Sequence, residues 1–252
     1  MAEMAQTIVI KIGGHATNQL SPEFFAQLHA WHDAGKQILI VHGGGPQISS
    51  WSKKLGLTVK KINGIRVTDS ETLKVTQAVL LGLVQPMLCQ KVTASDLPAL
   101  GLNATGQPII YGDYLNQKLF GEVGQLTDIN QDYIAAALKT HIGVMAPLAV
   151  NPTGHLLNVN GDVAAAGIAR MLGAEEFILL TDVPGVMVKD HVLSSLSKQK
   201  ATHMFKEKLI TAGMQPKIQA AFDALQNGVE KVTITNKLQS AGTTLLKSQL
   251  VG

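Results

Sequence analysis

The 252-residue chain has one cysteine, Cys89, which excludes an intrachain disulfide framework and fits a reducing, cytoplasmic compartment. Cys89 follows Met87 and Leu88 in an apolar helical stretch, so core packing is its expected role. Neither sign of charge dominates. Lys and Arg number 21 against 18 Asp and Glu, a net charge of +3 with no basic block, which argues against nucleic-acid or membrane-surface binding. No charged leader and no long apolar run precede the first strand, so neither a signal peptide nor a membrane span is expected. Internal repeats, low-complexity tracts and evident linkers are absent as well. So are two familiar phosphate signatures. There is no G-x-x-x-x-G-K-[ST] loop, and Ile48 stands where G-x-G-x-x-G needs its third glycine.

Against those absences, 46% hydrophobic and 15% charged residues describe an ordinary globular chain, long enough for one α/β domain or two fused lobes. The stretch Val41-His42-Gly43-Gly44-Gly45-Pro46 follows the apolar run 37–40: a buried strand ends, glycines expose backbone N–H groups, and proline opens a helix. Such a corner is either a tight turn or an anion site, because helix N-termini carry unpaired donors and partial positive charge. A second corner, Lys11-Ile12-Gly13-Gly14, lies one βαβ unit earlier, after the β-branched run Thr7-Ile8-Val9-Ile10. Ser21-Pro22 starts the crossover helix, with Phe24, Phe25, Leu28 and Trp31 on its apolar face and Gly35 at its end. The crossover makes the two strands parallel, so both corners fall at carboxyl ends, where open α/β sheets bind ligands.

Further along, a helix is expected over 47–55 with Ile48, Trp51 and Leu55 on one face. Asn63-Gly64 reads as a turn and Thr68-x-x-Glu71 as a capping box opening a helix over 70–90, which Pro86 should kink or split. Arg66, between turn and helix, is either a solvated surface residue or a planar fork for a carboxylate. Pro108-Ile109-Ile110 suggests a strand, and Gly121-Glu122-Val123-Gly124 a hairpin tip. A helix is expected over 131–139 and a strand over 142–149. Asn158, Asn160 and Asp162 cluster before an alanine-rich helix over 163–172; capping needs only one of them, which leaves two for another task. Phe177-Ile178-Leu179-Leu180 is a buried strand running into Thr181-Asp182. The segment 189–208 is polar, and 231–235 with Gly242-Thr243 finishes the sheet. Lys217 begins a helix, where it opposes the macrodipole unless an anion is bound.

The motifs Lys11-x-Gly13-Gly14, His42-Gly43-Gly44-Gly45-Pro46, Asn63-Gly64-x-Arg66-Val67-Thr68, Asn158-x-Asn160-x-Asp162, Thr181-Asp182-Val183-x-Gly185 and Pro216-Lys217 carry a resemblance that covers essentially all of residues 7–245. In that combination the chain resembles the amino-acid kinase family, and within it the acetylglutamate kinases. The resemblance implies a three-layer αβα sandwich around a mainly parallel open sheet. It implies a single domain over 1–252, with an acyl-substrate lobe over 1–173 and a nucleotide lobe over 174–252. The implied reaction is ATP-dependent phosphorylation of the side-chain carboxylate of N-acetyl-L-glutamate, in arginine biosynthesis, by a homodimer. The alternatives are a sister kinase for another acyl-amino acid and a catalytically silent amino-acid-binding module.

By the same resemblance Lys11 and Lys217 stabilise the transferring phosphoryl group and Asp162 holds both lysines. Gly44 and Gly45 present N–H groups to acyl substrate and phosphoryl oxygens, helped by Gly13 and Gly14. Arg66, Asn158 and Asn160 bind the acyl substrate. Thr181, Asp182, Val183, Pro184, Gly185, Val186 and Met187, with Leu209, Ile210 and Thr211, match nucleotide-binding segments. Mg2+ comes with ATP, held mainly by phosphates and water, and no metal-ligating residue is expected. The nucleophile is a carboxylate already ionised at neutral pH, so no general base is needed, and His15 and His42 are read as structural. Gln85-Pro86 departs from a usual Asn-Lys pair in the helix the family uses for dimer contacts. Because the first strand begins at about Thr7, without the helix that interlaces hexameric arginine-inhibited relatives, the protein is expected to be arginine-insensitive and no larger than a dimer.

Overall fold

The computed structural model describes residues 6–104, 107–211 and 213–247, with only the backbone of Asn18 and Ala104; the expectation about a leader falls partly outside them. Its centre is an eight-stranded sheet in the spatial order Ser195–Ser197, Thr243–Leu246, Lys231–Thr235, Glu176–Leu180, Thr7–Ile12, Gln37–His42, Ile142–Met145, Ala99–Gly101. All neighbours are parallel except Lys231–Thr235 against Thr243–Leu246. The sheet runs unbroken across residues 173/174, because Thr7–Ile12 bonds both Gln37–His42 and Glu176–Leu180.

Parallel strands covered on both faces read as continuous apolar runs, and every residue of Thr7–Ile12 is buried. The pleat sends alternate residues to opposite layers. Ile8, Ile10, Ile12, Ile38 and Ile40 pack with Phe24 and Leu28 of helix Pro22–Asp33 and with Val92 of Gln85–Thr93. Val9, Leu39 and Val41 face Ala164, Ala165 and Ile168 of helix Gly161–Met171 and Ile218, Ala221 and Leu225 of Gln215–Gln226. That gives the three expected layers.

Several local expectations are corrected. The helix expected from 47 starts two residues earlier, as Gly45–Lys54. Its buried face is Ile48 and Ser52, while Trp51 and Leu55 are 47% and 60% exposed. Asp69, not Thr68, caps the next helix, accepting the Thr72 N–H at 2.7 Å, and Glu71 pairs with Lys74 instead. Helix 70–90 is a rod in three parts: α-helix Ser70–Val79, a π-helical stretch Leu80–Val84, and α-helix Gln85–Thr93. Pro86 lacks the N–H that a continuous ladder needs, and just before it the Gln85 N–H bonds the Leu80 carbonyl, one residue wider than an α-turn. The rod Ser70–Thr93 has the length and apolarity of a membrane span. Leu73, Val79, Leu80, Val84, Leu88 and Val92 are nevertheless buried in the protein, and Cys89 packs beside them, half-buried.

The strand expected over 142–149 breaks at Ala146-Pro147. Ile142–Met145 stays in the main sheet, while Leu148–Val150 enters a small closed barrel with Leu156–Val159, Val123–Ile129 and Ile110–Tyr114. That barrel was not anticipated. The hairpin tip is also displaced: a helical turn Gln117–Phe120 joins Ile110–Tyr114 to Val123–Ile129, and Gly121 bridges to Thr68. The polar segment 189–208 holds the edge strand Ser195–Ser197 and helix Lys198–Lys206, so Thr243–Leu246 is next to the edge.

Candidate active site

A cleft of about 360 Å³ opens at the carboxyl ends of Thr7–Ile12, Gln37–His42 and Glu176–Leu180. Lys11, Gly13 and Gly14 come from the first strand end, Gly44 and Gly45 from the second, and Thr181 and Asp182 from the third. Asn158, Asn160 and Asp162 enter from the barrel and the following helix, Arg66 from a small hairpin, and Lys217 from helix Gln215–Gln226. The remaining segment residues do not line this cleft. Val186 and Ile210 are buried in the core, Gly185 packs on Thr243 and Val192, and Leu209 is 42% exposed.

At the centre, Asp162 sits between two lysines. Lys11 Nζ lies 2.6 Å from Oδ1 and Lys217 Nζ donates to Oδ2 at 2.7 Å. Burial disfavours the charged form of each buried partner. For Lys11 burial prevails and lowers its pKa against the pull of Asp162; for Asp162 the two lysines outweigh burial and hold its carboxyl below the usual range. Asn160 is the cap: its Oδ1 accepts the Asp162 N–H at 2.9 Å and aligns the carboxylate.

Arg66 is no surface residue. It is 9% exposed, at the end of a two-residue hairpin whose turn residues Asn63 and Gly64 both have positive φ. Its Nη2 donates to the Gly45 carbonyl at 2.9 Å and to Ser49 Oγ at 2.8 Å, whereas its buried Nη1 has no partner among the described residues. Burial lowers its pKa, though an arginine stays charged. Thr68, fully buried, donates to the Arg66 carbonyl and accepts Asn158 Nδ2 at 3.1 Å, so it fixes both expected substrate-binding residues. Sequence reasoning spent Thr68 on a cap and missed this part; the adjacent Asp69, a better cap, was the available signal.

The electrostatics favour an anion. Lys11, Lys61, Arg66 and Lys217 line the cleft against Asp162 and Asp182. Helices Gly45–Lys54 and Gln215–Gln226 start at the cleft without a side-chain cap, leaving their first N–H groups for a ligand. His42 is wholly buried, its Nδ1 3.1 Å from the Gly43 carbonyl, and burial pushes its pKa down to about 4, so it is neutral at pH 7. His15 instead stands exposed on the cleft wall. Among the described residues no cluster of three His, Cys, Asp or Glu could hold a metal ion.

Comparison with known proteins gives this site a context. The chain is 48% identical to the acetylglutamate kinase of Lactiplantibacillus plantarum over 248 residues, covering 98% of this chain and all of the relative. It is 39% identical to that of Listeria monocytogenes over 250 residues, covering 99% of this chain and all of the relative. The crystal structure of a Streptococcus mutans protein superposes with a TM-score of 0.91 at 37% identity, over 95% of this chain and 98% of that one. Carbamate kinase from Giardia lamblia bound to AMP-PNP shares the fold, with a TM-score of 0.67 at 18% identity over 97% and 99% of the two chains. The model of the amino acid kinase family matches residues 6–236, the span that carries every strand end and side chain of the cleft, and the chain belongs to that family.

Proposed function

We propose that the protein transfers the γ-phosphoryl group of ATP to the side-chain carboxylate of N-acetyl-L-glutamate. The observation that carries the reading is the Lys11–Asp162–Lys217 cluster sharing one cleft with the unpartnered Nη1 of Arg66. A buried, half-satisfied guanidinium suits a small carboxylate, and two lysines held by one carboxylate suit a phosphoryl group. The acyl-substrate carboxylate, ionised at neutral pH, attacks the γ-phosphorus. The bond from phosphorus to the bridging oxygen breaks, ADP leaves, and an acyl phosphate remains. No proton moves, so no base is required.

Bringing one anion against another is the obstacle, and positioning with charge neutralisation is the remedy. Lys11 and Lys217 meet the equatorial oxygens, Asp162 keeps both ammonium groups in place, and N–H groups of Gly14, Gly44 and Gly45 add donors. Asn158 and Arg66 hold the acetamido and α-carboxylate ends. Mg2+ travels with ATP, bound chiefly by its phosphates and water. The chain up to residue 173 serves as the acyl-substrate lobe and the chain from 174 as the nucleotide lobe, where Thr181 and Asp182 face the nucleotide from the cleft wall and the buried Val186 and Ile210 support their segments from the core. The protein works in the cytoplasm as a homodimer joined through the helix 70–93, whose Leu83 is 41% exposed. ADP release, coupled to NADH oxidation, tests the reading across glutamate, aspartate and their N-acetyl forms. N-acetyl-L-glutamate should give the highest kcat/KM. Preference for another acid identifies a sister kinase, and no turnover on any identifies a silent module.

A further inference from the structure

Gln47 is the first residue after the second glycine corner and its proline, yet its side chain serves the first corner. Its Nε2 donates to the Gly14 carbonyl at 3.0 Å and reaches Thr17 Oγ1 at 3.4 Å. The Thr17 hydroxyl donates to the same carbonyl at 2.9 Å, and Thr17 is wholly buried. One peptide oxygen is therefore held by two side-chain donors from different segments. Gln47 Oε1 is buried without a partner among the described residues, 3.3 Å from the point where a Cβ on Gly14 would lie. A flipped amide would set that oxygen against the Gly14 oxygen, two acceptors face to face, so only the observed orientation is stable.

Gly14 and His15 line the cleft, whereas Gln47 and Thr17 do not. The Gly14 carbonyl thus points out of the cleft into the protein. The Gly14–His15 peptide is trans and planar, so its N–H, that of His15, points the opposite way. Among the described residues that N–H has no acceptor to donate to. We propose that Gln47, with Thr17, is a positioning residue for phosphoryl transfer: the pair orients the Gly14–His15 peptide so that the His15 N–H donates to the phosphate chain of ATP beside Lys11. This rests on the kinase reading above and adds to it a donor and the clamp that aims it. The His15 imidazole has no part in it.

The test is nuclear magnetic resonance of protein labelled with 15N-histidine, in which the chain's eight histidines give eight amide signals and His15→Gln identifies the one of interest. MgATP should move the His15 amide proton downfield in the wild type and in Thr17→Ser, which keeps the hydroxyl. In Gln47→Met combined with Thr17→Val the shift should be lost. There kcat should fall about tenfold, with KM for N-acetyl-L-glutamate within about twofold, because the donor acts on the phosphate and not on the acyl substrate. A merely structural pair would lower the melting temperature and leave the His15 shift in place, and that result overturns the proposal. So does a wild-type His15 amide indifferent to MgATP. A His15 response without ADP release on N-acetyl-L-glutamate would instead leave the clamp standing and overturn the proposed reaction.

Discussion

Replacing Asp162 by asparagine keeps the side chain's shape and removes the charge that two lysines share. The Lys11 side chain is 8% exposed and Asp162 13%, so the pair is desolvated, whereas Lys217 at 25% keeps some water. Breaking a buried pair from one side costs about 3–5 kcal/mol while the remaining charge persists. Lys11 can relieve part of that by releasing its proton, toward which burial already biases it. The sign follows. Unfolded Lys11 binds its proton more readily than folded Lys11, so stability of the variant rises with pH, and its melting-temperature deficit should narrow as the pH rises toward 10.5. Catalytically, two aimed donors lose their anchor, and kcat should fall by about two to three orders of magnitude, the loss typical of one preorganised donor. The alkaline limb of kcat/KM for ATP, which reports the free enzyme, should lie below pH 10.5 in the wild type and move lower still in Asp162→Asn. Steady-state kinetics and thermal melts across that range are the assay. A kcat within about threefold of wild type, or an alkaline limb that does not move, would mean that Asp162 does not hold the two lysines for phosphoryl transfer.

Lys217→Ala should lower kcat by about two to three orders of magnitude with little change in either KM, because the lysine gains most when charge spreads over the transferring group; a raised KM for ATP at intact kcat would make it a nucleotide-binding residue. Arg66→Lys keeps the charge but not the fork that grips Gly45 and Ser49, so KM for N-acetyl-L-glutamate should rise about tenfold or more while KM for ATP stays. An unmoved acyl-substrate KM removes Arg66 from the site. His42, with its folded pKa at about 4 against 6.5 when free, supports stability above pH 6.5 that is lost as pH falls toward 4, about 3 kcal/mol in all. Urea unfolding should therefore show a steeper acid loss in wild type than in His42→Asn, and equal slopes would contradict the assignment.

Where local chemistry decides, the chain was legible. Continuous β-branched runs marked Thr7–Ile12 and Gln37–His42 as covered parallel strands, and the glycine corners after them fell where the cleft opens. Lys217 was conspicuous because it opposes a helix dipole, and the structure places it 2.7 Å from Asp162. Distant partners were not legible. Nothing near Leu148–Val150 announces that it leaves the main sheet to pair with Leu156–Val159 and Ile110–Tyr114, although Pro147 marks the break. Three-residue Ser195–Ser197 is too short for a periodic pattern. Arg66 could not be told from a surface arginine, since its burial comes from Gly45 and Ser49, about twenty residues away in sequence. Trp51 misled in the other direction: an aromatic at helical spacing from Ile48 turned out to lie under Lys54 at the surface.

The proposed reaction leaves an acyl phosphate on the acid's side chain. Incubation with N-acetyl-L-glutamate, MgATP and hydroxylamine converts an acyl phosphate to a hydroxamate, which ferric chloride colours and mass spectrometry assigns to the side-chain carbon. One hydroxamate should form for each ADP released, and none without the acyl substrate. ADP release with no hydroxamate would contradict it, because phosphate would then be passing to water.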